Sequence, residues 1–233
     1  MTLASVLLFG FLIGLRHALE ADHVAAVATL ATRHATLREA LSQGAAWGLG
    51  HTLTLGLLGG IVLLMGKALP EKYAVGLEFA VGVMLVLLGA DVLRRLLRER
   101  VHFHQHRHED GATHFHAHSH ASSPAHAGHP HASPRRWPLR ALCVGMVHGM
   151  AGSAALVLLA LERVSSVAAG LLYIVLFGVG SMVGMALLSL VIALPLRATA
   201  GRLNAAHRGL VVVVGLASCA LGLHIIYTLS FPA

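Results

Sequence analysis

Residues 3–30 read LASVLLFGFLIGL (3–15), RHALEADH (16–23) and VAAVATL (24–30). Thirteen apolar or small residues run into an island of ionisable ones, and an apolar stretch resumes after it. Arg16, Glu20 and Asp22 would each cost about 2.5–3.5 kcal/mol at the centre of a lipid-facing helix, whereas each large aliphatic returns only about 0.3–0.6 kcal/mol. A helix bathed in lipid does not carry that sum. Ionisable groups at such depth face the interior of a helix bundle and mark a substrate or ion path. Two histidines and two carboxylates, all between His17 and His23, make a transition metal the first substrate to consider.

The rest of the chain has the composition of a membrane protein. Of its 233 residues 56% are hydrophobic and 12% charged, and the mean hydropathy is +0.74. Such a length is spent on bilayer spans of about 20 residues each. Six apolar runs are readable, at about 3–30, 43–66, 74–96, 140–161, 167–195 and 208–229. No basic segment precedes the first and no small-x-small cleavage site clearly follows it, so it reads as a retained span. Cys143 and Cys219 lie within apolar runs and report nothing about redox compartment. The net charge of +7 is no nucleic-acid signature, because its distribution follows membrane topology. The connections on one side, with their flanking turns, hold 13 of the 17 Lys and Arg, those on the other side 3, and Arg16 is left within a span. The positive-inside rule then puts the first, third and fifth connections in the cytoplasm and both termini outside. The expected location is the inner (cytoplasmic) membrane, crossed several times.

The two halves echo each other. Gly14-Leu15-Arg16-His17 matches Gly145-Met146-Val147-His148, and Gly50-His51-Thr52-Leu53 matches Gly180-Ser181-Met182-Val183. Gly82 and Gly89 match Gly215 and Gly222, the offsets being 131, 130 and 133. A unit of three spans crosses the membrane an odd number of times, so its second copy is inverted. The expected fold is therefore all-α, a polytopic membrane protein of six transmembrane helices in two inverted three-helix repeats (1–96 and 140–233). Its site should lie where spans one, two, four and five converge, and one three-span unit would rock against the other. Residues 97–139 separate the halves. They hold eleven of the chain's 18 histidines among Gly, Ser, Ala and Pro, too little apolar surface to fold alone, so a disordered cytoplasmic loop is expected.

His17, Asp22 and His23 form an H-x4-D-H motif. On an unbroken helix, Asp22 and His23 point roughly 140° and 120° away from His17, too far apart to chelate one ion together. Span one is thus expected to be broken or kinked at 17–23, or to use only some of these residues as ligands. A buried ion pair of Arg16 with Glu20 or Asp22, serving packing alone, is the plain alternative. His51, among Gly48, Gly50 and Gly56, and His148, the repeat partner of His17, are the further candidate ligands; a packed core histidine is the alternative for each. Ser181, Met182 and Met185 face the same region from span five as second-rank candidates, although methionine commonly just fills gaps. Asp91 and His224, near the ends of spans three and six, are candidates for the path. Arg16 has no lone pair to donate and reads as a counter-ion to Glu20, Asp22 or Asp91. His34 and His207 are expected in short solvent-exposed loops. In the long loop, His102, His104, His106 and His108, then His114, His116, His118 and His120, then His126, His129 and His131 form a metal-capturing tract, with proton buffering as the alternative. Imidazoles alone do not choose among Ni, Co, Zn and Cu.

Arg16-His17-Ala18-Leu19-Glu20-Ala21-Asp22-His23 resembles the R-H-A-x-D-A-D-H signature of the nickel/cobalt permease family, and Leu49-Gly50-His51-Thr52 its L-G-H-S/T signature. His148-Gly149-Met150-Ala151-Gly152-Ser153 is similar to the H-G-L-A-G-S of the short, six-span, urease-accessory-like branch. Glu20 departs from the signature's first aspartate, and the extra spans and later Asp motifs of the longer permeases have no counterpart. The resemblance implies that His17, Asp22 and His23 bind the ion with help from His51. It implies a secondary transporter of Ni²⁺ or Co²⁺, with Zn²⁺ a lesser candidate, and no permanent cofactor. The partners expected are the metal ion, the lipid bilayer and a cytoplasmic metallochaperone, with no nucleic acid. Uptake is favoured, since a divalent ion gains about 4.6 kcal/mol per 100 mV on moving inward. Efflux and a non-transporting metal-binding accessory role are the alternatives. An enzyme is not expected: no H-E-x-x-H occurs, and no G-x-S-G nucleophile stands in a span.

Overall fold

The computed structural model describes residues 3–32, 36–65, 70–98, 102–107, 113–118, 138–151, 166–200 and 204–231. Seven helices lie among them: α1 (Leu3–His17), α2 (Ala21–Ala31), α3 (Leu37–Met65), α4 (Glu71–Arg98), α5 (Leu139–Met150), α6 (Val167–Ala200) and α7 (Asn204–Ser230). Four of them, α3, α4, α6 and α7, are long and apolar enough to cross a bilayer. At 1.5 Å per residue, the 29 residues of α3 reach about 43 Å, beyond a hydrocarbon core of about 30 Å. The chain is a helical, multi-pass membrane protein.

Local chemistry sets where these helices begin. The Glu39 backbone N–H donates to Thr36 Oγ1 (3.1 Å) and the Thr36 N–H to Glu39 Oε2 (3.2 Å), a reciprocal capping box at the start of α3. Ser166 caps α6 through its Oγ, which accepts from the Ala169 N–H. The expected span at 3–30 is two short helices. After His17 the chain tightens, Leu19 and Glu20 donating to the carbonyls of Arg16 and His17. Glu20 is extended (φ −65°, ψ 150°), and α2 starts one residue later. The expected span at 140–161 begins as α5, which ends at Met150 with Ala151 extended (φ −100°, ψ 158°); residues 152–165 lie outside the described residues.

Glycines decide which helices touch. A Cβ on Gly14 would lie 2.0 Å from the Phe177 carbonyl oxygen, and one on Gly145 2.0 Å from that of Trp47. Gly50 bears on the Leu142 carbonyl and Gly180 on that of Phe11 in the same way. Gly82 lies against the Gly222 carbonyl and Gly89 against that of Gly215, drawing α4 onto α7; Ser218 Oγ donates to the Leu85 carbonyl across that contact. Backbones this close gain dispersion along their whole length. The closest contacts join α3 to α6 and α5, α1 to α6, and α4 to α7. The molecule therefore comprises a four-helix body (α1, α3, α5, α6) and a separate pair (α4, α7), with α2 wedged between them. Every one of these contacts joins the first half of the chain to the second.

One further expectation changes. His207 is buried within α7 and not exposed in a loop: Nδ1 stands 3.1 Å from the Leu196 carbonyl and 3.3 Å from Thr199 Oγ1. Leu196 lies in the last turns of α6, where Thr199 Oγ1 also donates to its carbonyl. Between α4 and α5, β1 (His102–Arg107) and β2 (Thr113–His118) form an antiparallel hairpin, pairing His102 with His118, His104 with His116 and His106 with His114. His34, His108, His120, His126, His129 and His131 lie outside the described residues.

Candidate metal centre

Four histidines from four helices meet at the break in the first span. His17 ends α1, His23 is in the first turn of α2, His51 lies midway along α3 and His148 is near the end of α5. All four are buried, none more than 5% exposed. Ring centroids of His17 and His23 are 4.3 Å apart, His23 and His148 4.1 Å, His23 and His51 5.1 Å, and His17 and His51 5.3 Å. The interruption at residues 18–20 is what allows His17 and His23 to face each other, as the H-x4-D-H spacing required.

Carboxylates hold three of the rings. The Asp22 Oδ1 accepts from the His23 Nδ1–H and from the His23 backbone N–H, both at 2.9 Å, and Oδ2 accepts from the His148 Nε2–H at 3.0 Å. Glu20 Oε1 stands 2.9 Å from His17 Nδ1. A ring nitrogen that donates to a carboxylate leaves the other nitrogen as a lone-pair donor of raised basicity. His23 Nε2 and His148 Nδ1 are buried with no hydrogen-bond partner among the described residues, as are both nitrogens of His51 and of His17, whose Nδ1 meets Glu20 by ion-pair distance alone. Unpaired buried imidazole nitrogens are costly in an apolar interior; several converging on one point are what a borderline metal ion requires. His17, His23 and His51 offer three donor atoms within 4.8 Å of one another, and Asp22, His23 and His148 form a second such set. Donors on a single ion with bonds of about 2.1 Å stand at most about 4.2 Å apart, so small shifts would close the first set on one cation. The sets share His23. The C-termini of α1 and α5 both end at this cluster, and the negative ends of their dipoles favour a cation there.

The other candidates are placed as follows. Arg16 is exposed, and the described partners of Glu20 and Asp22 are imidazoles. Ser181 is fully buried with its Oγ unpartnered, one turn beyond Phe177, whose ring lies 5.3 Å from His17. Met182 packs on Gly48, and Met185 belongs to the apolar core. Asp91 pairs with Arg95 and Arg140 between α4 and α5, and His224 is exposed on α7; neither joins the cluster. The hairpin holds six of the loop histidines in register.

Two aromatic residues were missed by sequence reasoning. Trp47 is fully buried, with its ring 5.4 Å from both His23 and His148, and Phe177 abuts His17 in the same manner. They shield the imidazoles from lipid and fix their tilt. The signal was present: Trp47-Gly-Leu-Gly-His51 and Phe177-Gly-Val-Gly-Ser181 are one pattern 130 residues apart.

A family model described as NicO, high-affinity nickel-transport protein, matches residues 3–229. A urease accessory protein, UreH, of Bacillus sp. (strain TB-90) is 34% identical over 228 residues, covering 97% of this chain and 92% of that protein. No solved structure matches the chain.

Proposed function

The chain belongs to the NicO family of high-affinity nickel-transport proteins, and from that premise we propose that it is a secondary transporter carrying Ni²⁺, with Co²⁺ the nearest alternative cargo, inward across the cytoplasmic membrane. As a nickel transporter by family it is not an enzyme. The observation that carries the proposal is the convergence of four buried imidazoles whose free nitrogens have no partner among the described residues. A partly dehydrated cation would exchange waters for His17, His23 and His51. Asp22 would align His23 and His148 while offsetting part of the ion's charge. Uptake is supported by energy, because inward movement gains about 4.6 kcal/mol per 100 mV without a coupled proton. The His-rich loop would receive the ion on the cytoplasmic side, where the positive-inside count puts it, and both termini would then be outside.

The reading of two inverted repeats is supported by contacts that recur at the repeat offsets. Gly14 meets Phe177 as Gly145 meets Trp47, and Gly50 meets Leu142 as Gly180 meets Phe11. Glu20 and Ala151, the extended residues at the two helix breaks, are also 131 apart. Alternating exposure would come from the α4–α7 pair shifting against the four-helix body, since among the described residues that seam lacks the glycine-mediated contacts found within each part.

The name of the Bacillus relative, a urease accessory protein, favours a second reading in which the chain binds nickel and hands it on without moving it. Nickel flux into proteoliposomes tests both. The wild type should accumulate nickel, His17→Ala should lose nearly all flux, and a protein lacking residues 102–131 should report whether the loop belongs to the path. Binding without flux in the wild type would favour the accessory role, and unchanged flux in His17→Ala would sink the site.

A further inference from the structure

A cavity of about 310 Å³ opens from the histidine cluster along the seam between the four-helix body with α2 on one side and the α4–α7 pair on the other. Its inner wall is formed by His17, His23 and His148; opposite them stand Glu78 and Val81 of α4 and Ile225 of α7. Glu20 and Asp22 also line it, but both carboxylates are engaged by imidazoles. Glu78 has no ion pair among the described residues, and no Lys or Arg is among the residues described at the cavity wall. It sits two turns into α4, a helix apolar enough to span the membrane. Its side chain is exposed and lines the cavity, so its charge is open to an ion on a polar path. At the opposite wall, His23 and His148 are 1% and 2% exposed and present nitrogens with no partner among the described residues.

We propose that Glu78 is the selectivity carboxylate of a cation vestibule, drawing the hydrated divalent ion into this cavity before the imidazoles strip its water. The inference rests on the transport reading above and assigns its site a further residue, one that contributes charge at the mouth and no bond in the final complex. A wall of one sign of charge with low-dielectric sides concentrates counter-ions at the site it leads to. Glu78 should therefore govern how much nickel is needed, and leave the rate at saturation to the histidines.

Nickel uptake into proteoliposomes is measured for wild type, Glu78→Gln and Glu78→Asp, from low to physiological ionic strength. Glu78→Gln should raise the half-saturating nickel concentration roughly three- to tenfold with the maximal rate retained, and Glu78→Asp should lie near wild type. Salt should weaken apparent affinity steeply in the wild type and shallowly in Glu78→Gln, because only the former has a vestibule charge to screen. A second variant, Glu78→Cys with Cys143→Ala and Cys219→Ala, is labelled with a sulfonatoethyl or a trimethylammonioethyl thiosulfonate of similar bulk. The anionic adduct should restore affinity and the cationic one abolish uptake at low nickel. Unchanged half-saturation and salt slope in Glu78→Gln, or equal effects of the two adducts, would overturn the role of Glu78 while wild-type flux left the transport reading standing. A wild type that moves no nickel would overturn both.

Discussion

Gly145→Ala tests the packing logic that assembles the metal centre. The added methyl would lie 2.0 Å from the Trp47 carbonyl oxygen and 2.9 Å from its Cδ1. An ordinary contact begins near 3.4 Å, so α5 and α3 must part by about 1.4 Å locally. Backbone on one side and a fully buried tryptophan on the other leave no flexible side chain to give way. Overpacking of this kind costs about 1–3 kcal/mol, against at most about 1 kcal/mol gained from replacing a helical glycine by alanine. The displacement falls one turn before His148 and one turn before His51, so it separates donors that must converge. Gly56→Ala in α3 is the control, because nothing stands within 4 Å of its added methyl; it should be neutral or stabilising by up to about 1 kcal/mol. Thermal unfolding in detergent with and without nickel, together with nickel titration, reads both effects. Gly145→Ala should melt earlier and bind nickel at least tenfold more weakly. A Gly145→Ala protein that matches wild type in melting and nickel affinity would refute the reasoning.

Asp22→Asn keeps the side chain's shape but removes the charge that holds two imidazoles. Nickel affinity by calorimetry should fall about 10–100-fold, the range for groups that orient metal ligands, and Asp22→Glu should recover little of it. Gly89→Ala, whose methyl would meet Cys219 Sγ and the Gly215 carbonyl at 2.6 Å, should impair stability and flux but leave nickel binding near wild type, since it strains the α4–α7 pair and no histidine. Thr36→Ala breaks the capping box of α3 and should cost about 0.5–2 kcal/mol in thermal unfolding, without changing nickel affinity. Binding lost in Gly89→Ala or Thr36→Ala would mean that the site is less rigidly supported by the four-helix body than its contacts imply.

The sequence by itself determined the membrane class, the family and which residues are the candidate ligands. These follow from local quantities: the cost of charge in lipid, the 3.6-residue period that forbids His17 and Asp22 from sharing a helix face, and the glycine spacings of the two halves. The break at residues 18–20 was legible for the same reason. Only the tertiary structure decided which groups the island pairs with. Arg16 is the nearest cation in sequence to Glu20 and Asp22, yet the partners are histidines, one of them 126 residues away on α5. Trp47 and Phe177 became part of the site only once α3 and α6 were seen to carry them against His148 and His17. The burial of His207 depended on its contact with the last turns of a neighbouring helix. The division into a four-helix body and an α4–α7 pair was likewise beyond the sequence, because a glycine's presence says that a backbone can come close and not whose backbone does. Long-range approach is set by the summed packing of all helices, and no window of residues contains that sum.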